Sequence, residues 1–216
     1  MTGRALAGRR IIVLGARGGL GRSVVERLQA DGASVTAADS RPPADAERHE
    51  DVDHITVDAL DEASVAAAFA TSPPPQSLPG LDIATLRQQL ELNLVTAAIV
   101  TKHALPVLAG QGGGTIVHVS SRVAVQKGEN GFAYSVSKLG VVRLVEAAAA
   151  EGRELGVRVN CIMPSIIDTP ANRAALPDAE HEQWPKPSEL AAVLAFLVSD
   201  DAVLISGAAI PVYGRA

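Results

Sequence analysis

Tyr134 and Lys138 stand four residues apart in a stretch of helical composition, which puts both side chains on one face, one turn apart. A free phenol titrates at about 10, too high for proton exchange at neutral pH. A neighbouring ammonium favours the phenolate, lowers that value and makes the hydroxyl a usable general acid or base. Ser120 and Ser121 follow the strand-like stretch 115–119, at its carboxyl edge, where open α/β sheets place their ligands. A serine hydroxyl there can hydrogen-bond a carbonyl oxygen as it gains negative charge. Each feature alone has a plain structural alternative: a chance Tyr-x-x-x-Lys, or a serine pair in a strand-to-loop turn.

A second cluster binds rather than reacts. Gly15-Ala16-Arg17-Gly18-Gly19-Leu20-Gly21 lies between a short apolar run and a helical segment. Glycines there permit positive φ and close approach of the backbone to a pyrophosphate, and the helix N-terminus beyond supplies N–H groups for the negative charge. Asp39, 18 residues after Gly21, ends the next strand. A carboxylate at that point accepts the adenosine ribose hydroxyls and repels a 2′-phosphate, which favours NAD over NADP. Arg17 and Arg41 are the side chains that could instead assist a phosphate.

These residues need a strand–helix alternation to position them, and the chain supplies one. Residues 11–14 form a continuous apolar run, as expected of a strand buried on both faces. A helix from residue 23 to 30 follows, with Val24, Val25 and Leu28 on its apolar face, then strands at 34–38 and 54–57. Residues 63–70 favour helix, and the triple proline 73–75 cannot enter a central strand. Residues 82–108 read as a long helix ended by Pro106 and the glycines 112–114. A strand at 115–119, a helix at 133–152 and a strand at 157–163 ended by Pro164 come next. A helix from 187 to 198 with Ser188 as N-cap and a last strand at 208–212 complete the pattern. The fold class is α/β: a single Rossmann-like, doubly wound parallel sheet in one domain spanning residues 1–216.

Composition narrows the function. A net charge of −5 without a Lys/Arg cluster argues against nucleic acid or an anionic membrane as partner. No apolar h-region precedes Ile11, and no uninterrupted apolar run reaches the roughly 18 residues of a membrane span. Cys161 is the single cysteine, so no intrachain disulfide forms and a reducing, cytoplasmic setting is expected. The five histidines lack metal-ligand spacing, and no metal site is expected.

With these motifs in order, the sequence resembles the short-chain dehydrogenase/reductase family over nearly its full length. The glycine turn is similar to that family's Thr-Gly-x-x-x-Gly-x-Gly, with Leu14 in place of the threonine. Ser121 precedes Tyr134 by 13 residues, and Asn93, in Leu92-Asn93-Leu94, precedes Ser121 by 28; both spacings match the family's catalytic asparagine, serine and tyrosine. Pro164-Ser165-Ile166-Ile167-Asp168-Thr169 resembles its Pro-Gly-x-x-x-Thr segment, with Ser165 replacing the glycine.

The resemblance implies that Tyr134 exchanges a proton with a small carbonyl or alcohol substrate while hydride moves to or from nicotinamide. Lys138 would hold the nicotinamide ribose and depress the tyrosine. Ser121 would polarise the carbonyl, and Asn93 would keep a water near Lys138. Gly15, Arg17, Gly19, Leu20, Gly21, Asp39, Asp58, Pro164, Ile167 and Thr169 would line the cofactor together with Tyr134 and Lys138. A homodimer or homotetramer is the implied assembly. Asp168 to Arg173, with Pro177, Ala179 and Trp184, also resembles the lid segment of quinonoid dihydropteridine reductases, although such enzymes commonly lack the serine present here as Ser121. In that lid Trp184 either covers substrate or anchors the segment.

One part of the pattern is missing. The family's strand order is 3-2-1-4-5-6-7, and its fourth strand with an Asn-Asn-Ala-Gly-like turn belongs between the third strand and Asn93. Asp58 and Asn93 are only 35 residues apart, and about seven residues after Val57 cannot make a parallel crossover, which needs roughly a dozen. The fourth strand is therefore expected to be absent or reduced, leaving two sheet edges to be satisfied. That gap keeps a non-catalytic dinucleotide-binding sensor or scaffold, or an unstable shortened variant, as alternatives to an enzyme.

Overall fold

The structure, a computed structural model, describes residues 5–40, 52–56, 78–126 and 131–215. In chain order the main elements are β1 (Arg10–Leu14), α1 (Gly19–Ala30), β2 (Ser34–Asp39), β3 (Asp53–Thr56) and α2 (Ile83–Gln89). A π-helical turn, Leu90–Val95, leads into α3 (Thr96–Gly110). Then come β4 (Gly114–Val119), α4 (Phe132–Gly152), β5 (Val157–Pro164), α5 (Pro170–Ala175), α6 (Pro187–Val198) and β6 (Ala209–Val212). The expected helix at 63–70, the triple proline, Val57 and Asp58 lie outside the described residues.

The chain forms an α/β Rossmann-like fold whose parallel strands make two three-stranded sheets, ordered β1-β2-β3 and β4-β5-β6. They belong to two compact units, one of Met1–Asp58, Ile166–Ala202 and Tyr213–Ala216, the other of Ala59–Ser165 and Val203–Val212. Among the described residues β1 pairs with β2 alone and β4 with β5 alone. Such a division is what a core sheet without its fourth strand would leave.

In the first unit, Val24, Val25 and Leu28 of α1 are buried, and α1 packs against α6, which buries Leu190, Ala191, Leu194, Ala195 and Leu197. The run 11–14, expected to be buried on both faces, is not: Ile12 is 65% exposed and Leu14 45% exposed. The exposed residues alternate along the strand, so it is the one face carrying Arg10, Ile12 and Leu14 that is left uncovered. The first turn of α6 is capped by Lys186 rather than Ser188. Pro187 takes the first helical position, where its missing N–H is harmless, and the Lys186 amide donates to Glu189 Oε2 at 2.8 Å.

In the second unit, β5 is buried along most of its length and α4 packs on it through Val141, Val145, Ala148 and Ala149. Gly140 lets the π turn approach α4 closely, since a Cβ there would lie 2.8 Å from Leu94 Cδ2. Pro106 sits inside α3 rather than at its end; Gly112 and Gly113, at φ 88° and 121°, terminate the helix instead. The continuous helical stretch Ile83–Gly110, 28 residues with a mean hydropathy of 1.4 in its most apolar window, is long and apolar enough to cross a membrane. No uninterrupted run in the sequence suggested such a stretch, because polar residues such as Thr96 and Thr101 divide its apolar ones. Length and composition of this kind also describe core helices of globular proteins.

Candidate active site

The glycine turn is built by backbone hydrogen bonds within the first unit. The Gly15 and Ala16 amides donate to the Ala38 carbonyl at 2.9 and 3.2 Å, tying the turn to the end of β2. Gly15 has φ 73°, the left-handed region that favours glycine. A Cβ on Gly21 would fall 2.1 Å from the Gly15 oxygen and 2.8 Å from Ala16 Cα, so only glycine fits there. Helix α1 starts at Gly19, four residues before its expected start, which puts Gly19, Leu20 and Gly21 in its first turn. The N–H groups of that turn have no partner within the helix, as a pyrophosphate site requires.

Asp39 closes the same turn: its Oδ2 accepts from the Arg17 amide at 3.1 Å. Thr169 joins the cluster from the other end of the chain, because a Cβ on Gly19 would lie 3.0 Å from Thr169 Cγ2. The Thr169 hydroxyl oxygen caps α5 by accepting from the Asn172 amide at 3.2 Å. The Ile167 carbonyl accepts from the Thr169 amide at 2.9 Å and from Asn172 Nδ2 at 2.8 Å. Arg173 grips the Asp168 carboxylate with two hydrogen bonds, which holds that acid below its ordinary range. Trp184 is buried, its ring 4.6 Å from that of His181, so it anchors the segment. The residues that shape the turn fit the phosphates and ribose of a dinucleotide: a cradle of glycines that a single Cβ would fill, with a carboxylate at its rim.

The second unit gathers Asn93, Ser121, Tyr134 and Lys138. Ser121 lies two residues beyond the end of β4 and caps the following short helix, its Oγ accepting from the Val123 amide at 3.4 Å. The same hydroxyl favours the charged form of the Tyr134 phenol. Lys138 stands on the tyrosine's face of α4, its Nζ 5.7 Å from the ring centroid and donating to the Val119 carbonyl at 3.2 Å. Ser120 locks that turn of α4 by donating to the Lys138 carbonyl at 2.8 Å. Asn93 lies on the π turn, and its Nδ2 donates to Ser137 Oγ at 3.1 Å. Pro164 ends β5 in register with Val212.

The electrostatics differ from the expectation that Lys138 depresses the phenol. Burial pushes Tyr134 above its ordinary value of 10.0, with the Ser121 hydroxyl pulling the other way. Although 39% of the residue is exposed, the packed surroundings of the hydroxyl disfavour its charged form. Burial also drives the Lys138 ammonium down to about 8. The Nζ donates to the Val119 carbonyl at 3.2 Å, and the phenol is shifted by its own burial. Asp58 lies outside the described residues. Two polar residues of this cluster had no place in the sequence motifs: Gln89, one helical turn before Asn93, and Ser137, immediately before Lys138. The i, i+4 spacing of Gln89 and Asn93 was the signal available.

The short chain dehydrogenase family matches residues 9–180. The chain is 32% identical to cis-4-hydroxycyclohexanecarboxylate dehydrogenase of Sinomonas cyclohexanicum, with 98% of each protein covered. It is 29% identical to 7alpha-hydroxysteroid dehydrogenase of Bacteroides fragilis, covering 94% of this chain and 92% of that one. A crystal structure from Beutenbergia cavernae, assigned as an NAD(P)-dependent gluconate 5-dehydrogenase and holding NADP at low occupancy, superposes with a TM-score of 0.84 at 25% identity. It covers 98% of this chain and 97% of its own.

The chain belongs to the short-chain dehydrogenase family and is an NAD(P)-dependent oxidoreductase of that family. The alignment to the Sinomonas protein runs over 243 positions, more than the 216 residues of this chain, so the chain is shortened relative to it.

Proposed function

We propose that this protein interconverts a small carbonyl compound and its alcohol, with Tyr134 as general acid and base and NAD(H) as preferred cofactor. The observation that carries the reading is the Tyr134–Lys138 pair on one face of α4, with Nζ 5.7 Å from the centre of the phenol ring. When bound, the nicotinamide supplies or accepts the hydride. In the reducing direction Tyr134 gives its hydroxyl proton to the substrate oxygen, and Ser121 holds that oxygen by donating to it. Lys138 then offsets the negative charge left on the phenolate, and Asn93 keeps a water within reach of the ammonium for reprotonation.

Gly15, Arg17, Gly19, Leu20 and Gly21 hold the pyrophosphate, Asp39 the adenosine ribose, and Pro164, Ile167 and Thr169 the nicotinamide end. Asp58 is assigned to the adenine. The site acts as part of one functional domain of residues 1–216. Exposed apolar residues on the helices, Ile99 and Val107 on α3 and Phe132 and Leu139 on α4, support a homodimer or homotetramer. The free, buried Cys161 suits a reducing, cytoplasmic compartment. Neither nucleic acid nor membrane is assigned as a partner, in keeping with the net charge of −5.

Oxidation of NADH and of NADPH with a panel of cyclic and open-chain ketones tests the reading. Turnover is expected with NADH, and Tyr134→Phe should lower kcat by about 10²–10⁴-fold, the usual contribution of a positioned acid–base group. No turnover with any ketone, or a Phe variant as active as the wild type, refutes it; tighter binding of NADPH refutes the cofactor preference. Quinonoid dihydropterin belongs on the same panel, because the sequence from Asp168 to Arg173 resembles the lid segment of quinonoid dihydropteridine reductases. Cofactor binding without turnover on any of these would identify a sensor or scaffold.

A further inference from the structure

We propose that Gln89 is the positioning residue for Asn93, fixing its carboxamide and thereby coupling the π turn to the tyrosine's turn of α4. This rests on the reading of Tyr134 as the acid–base group. Asn93 Nδ2 has three acceptors around it: the Gln89 carbonyl at 3.1 Å, Gln89 Oε1 at 3.2 Å and Ser137 Oγ at 3.1 Å. The Ser137 hydroxyl spends its one proton on the Tyr134 carbonyl at 2.8 Å. Its oxygen can then only accept from Asn93, so the amide nitrogen, not the amide oxygen, faces α4.

Both supports are interior, Gln89 6% exposed and Ser137 fully buried, and a buried polar side chain left without its partner is costly. The sequence Gln89–Asn93–Ser137–Tyr134 is thus an unbroken chain of hydrogen bonds, two of its links made by one glutamine. The π turn that carries Asn93 needs such support. A π turn disturbs the regular helical bonding pattern, and π turns recur where a functional group must be aimed. Thr96 Oγ1 donates to the Glu91 carbonyl at 3.0 Å within the turn, and Gly140 admits Leu94 against α4. Those contacts set the turn's position, whereas Gln89 sets the rotation of the asparagine side chain.

The experiment compares the wild type with Gln89→Met, which keeps the length of the side chain but not its acceptor, and Gln89→Glu, which keeps an acceptor oxygen. The Asn93 side-chain amide signals, identified by their loss in Asn93→Asp, are followed by ¹⁵N NMR alongside steady-state kinetics with NADH. Gln89→Met should speed solvent exchange of the Asn93 amide by about fivefold to tenfold, the worth of one net hydrogen bond. It should also lower kcat by about tenfold while KM stays within about twofold, the mark of misaligned rather than lost binding. Gln89→Glu should restore both. Unchanged exchange in Gln89→Met, or a wild-type Asn93 amide exchanging as fast as an exposed carboxamide, overturns the inference even if turnover is normal. Slow wild-type exchange that Gln89→Met accelerates, in a protein with no turnover, would uphold the positioning and refute the catalytic reading alone.

Discussion

The Lys138 ammonium stands 5.7 Å from the centre of the Tyr134 ring and donates to the Val119 carbonyl at 3.2 Å. Burial drives it down to about 8, against the opposite pull of Cys161. A lysine with a folded value below its unfolded one holds fewer protons than the unfolded chain between about 8 and 10.5. Stability therefore rises with pH across that window, and below it the fold carries the full penalty of a buried charge. Lys138→Met should stabilise the protein at pH 7 by on the order of 1–3 kcal/mol, while abolishing most of its turnover. Urea denaturation at pH 7 and pH 10 would check it: the gain should shrink at the higher pH, and a variant less stable than wild type at pH 7 would contradict it.

Gly21→Ala addresses the cradle alone. Its Cβ would collide with backbone at 2.1 Å from the Gly15 oxygen, and backbone cannot rotate away as a side chain can. The turn must open, which separates the Gly15 and Ala16 amides from Ala38. A loss of about 1–3 kcal/mol of stability is expected, together with at least tenfold weaker NADH binding measured by fluorescence titration. Gly19→Ala should be milder, because the atom it meets, at 3.0 Å, is the Thr169 methyl at the end of a side chain.

Much of this was legible in the residues, for identifiable reasons. Val24, Val25 and Leu28 face the core as their spacing dictates, and Tyr134 and Lys138 share a face because four residues make one helical turn. What escaped depends on neighbours that are distant in sequence. Ile12 and Leu14 look like interior strand residues, yet the face of β1 they share is exposed, which depends on what packs over the sheet. Pro106 looks like a helix end, yet a proline removes one hydrogen bond and α3 persists until Gly112 and Gly113. The π turn at Leu90–Val95 has no sequence signature, so the meeting of Asn93 with Ser137, 44 residues on, could not be read. The direction of the Tyr134 shift was set by packing around the hydroxyl, a quantity that spacing does not carry.

Asn160 joins the last strand to the core of the second unit. Fully buried in β5, it donates from Nδ2 to the Ile205 carbonyl at 2.8 Å and accepts from the Ala208 amide at 3.0 Å. Asn160→Leu fills the same space but strands both backbone groups. Unmet buried groups cost about 1–3 kcal/mol each, so a loss of about 3 kcal/mol is expected, or about 6–12 °C in Tm for a chain of this size. A thermal shift within 2 °C, on the order of less than 1 kcal/mol, would show that water replaces both partners.

His118 supplies the acid limit of stability. Its Nε2 meets the Thr101 hydroxyl at 2.8 Å, and that hydroxyl already donates to the Ala97 carbonyl, so the imidazole must be the donor. Burial first, and then the charge of Lys138, lower it from 6.5 to about 4. Below about 6.5 the unfolded chain takes up a proton that the folded protein refuses, so the unfolded state binds more protons and stability falls as pH drops towards 4. The group's contribution is intact above 6.5 and diminishes by up to about 3 kcal/mol at the bottom of that window. His118→Gln keeps a donor for Thr101 but does not titrate. Its stability, measured by urea denaturation at pH 7 and pH 4.5, should fall less than that of the wild type, with carboxylates contributing equally to both. Parallel losses in the two proteins would mean that His118 accepts its proton without unfolding.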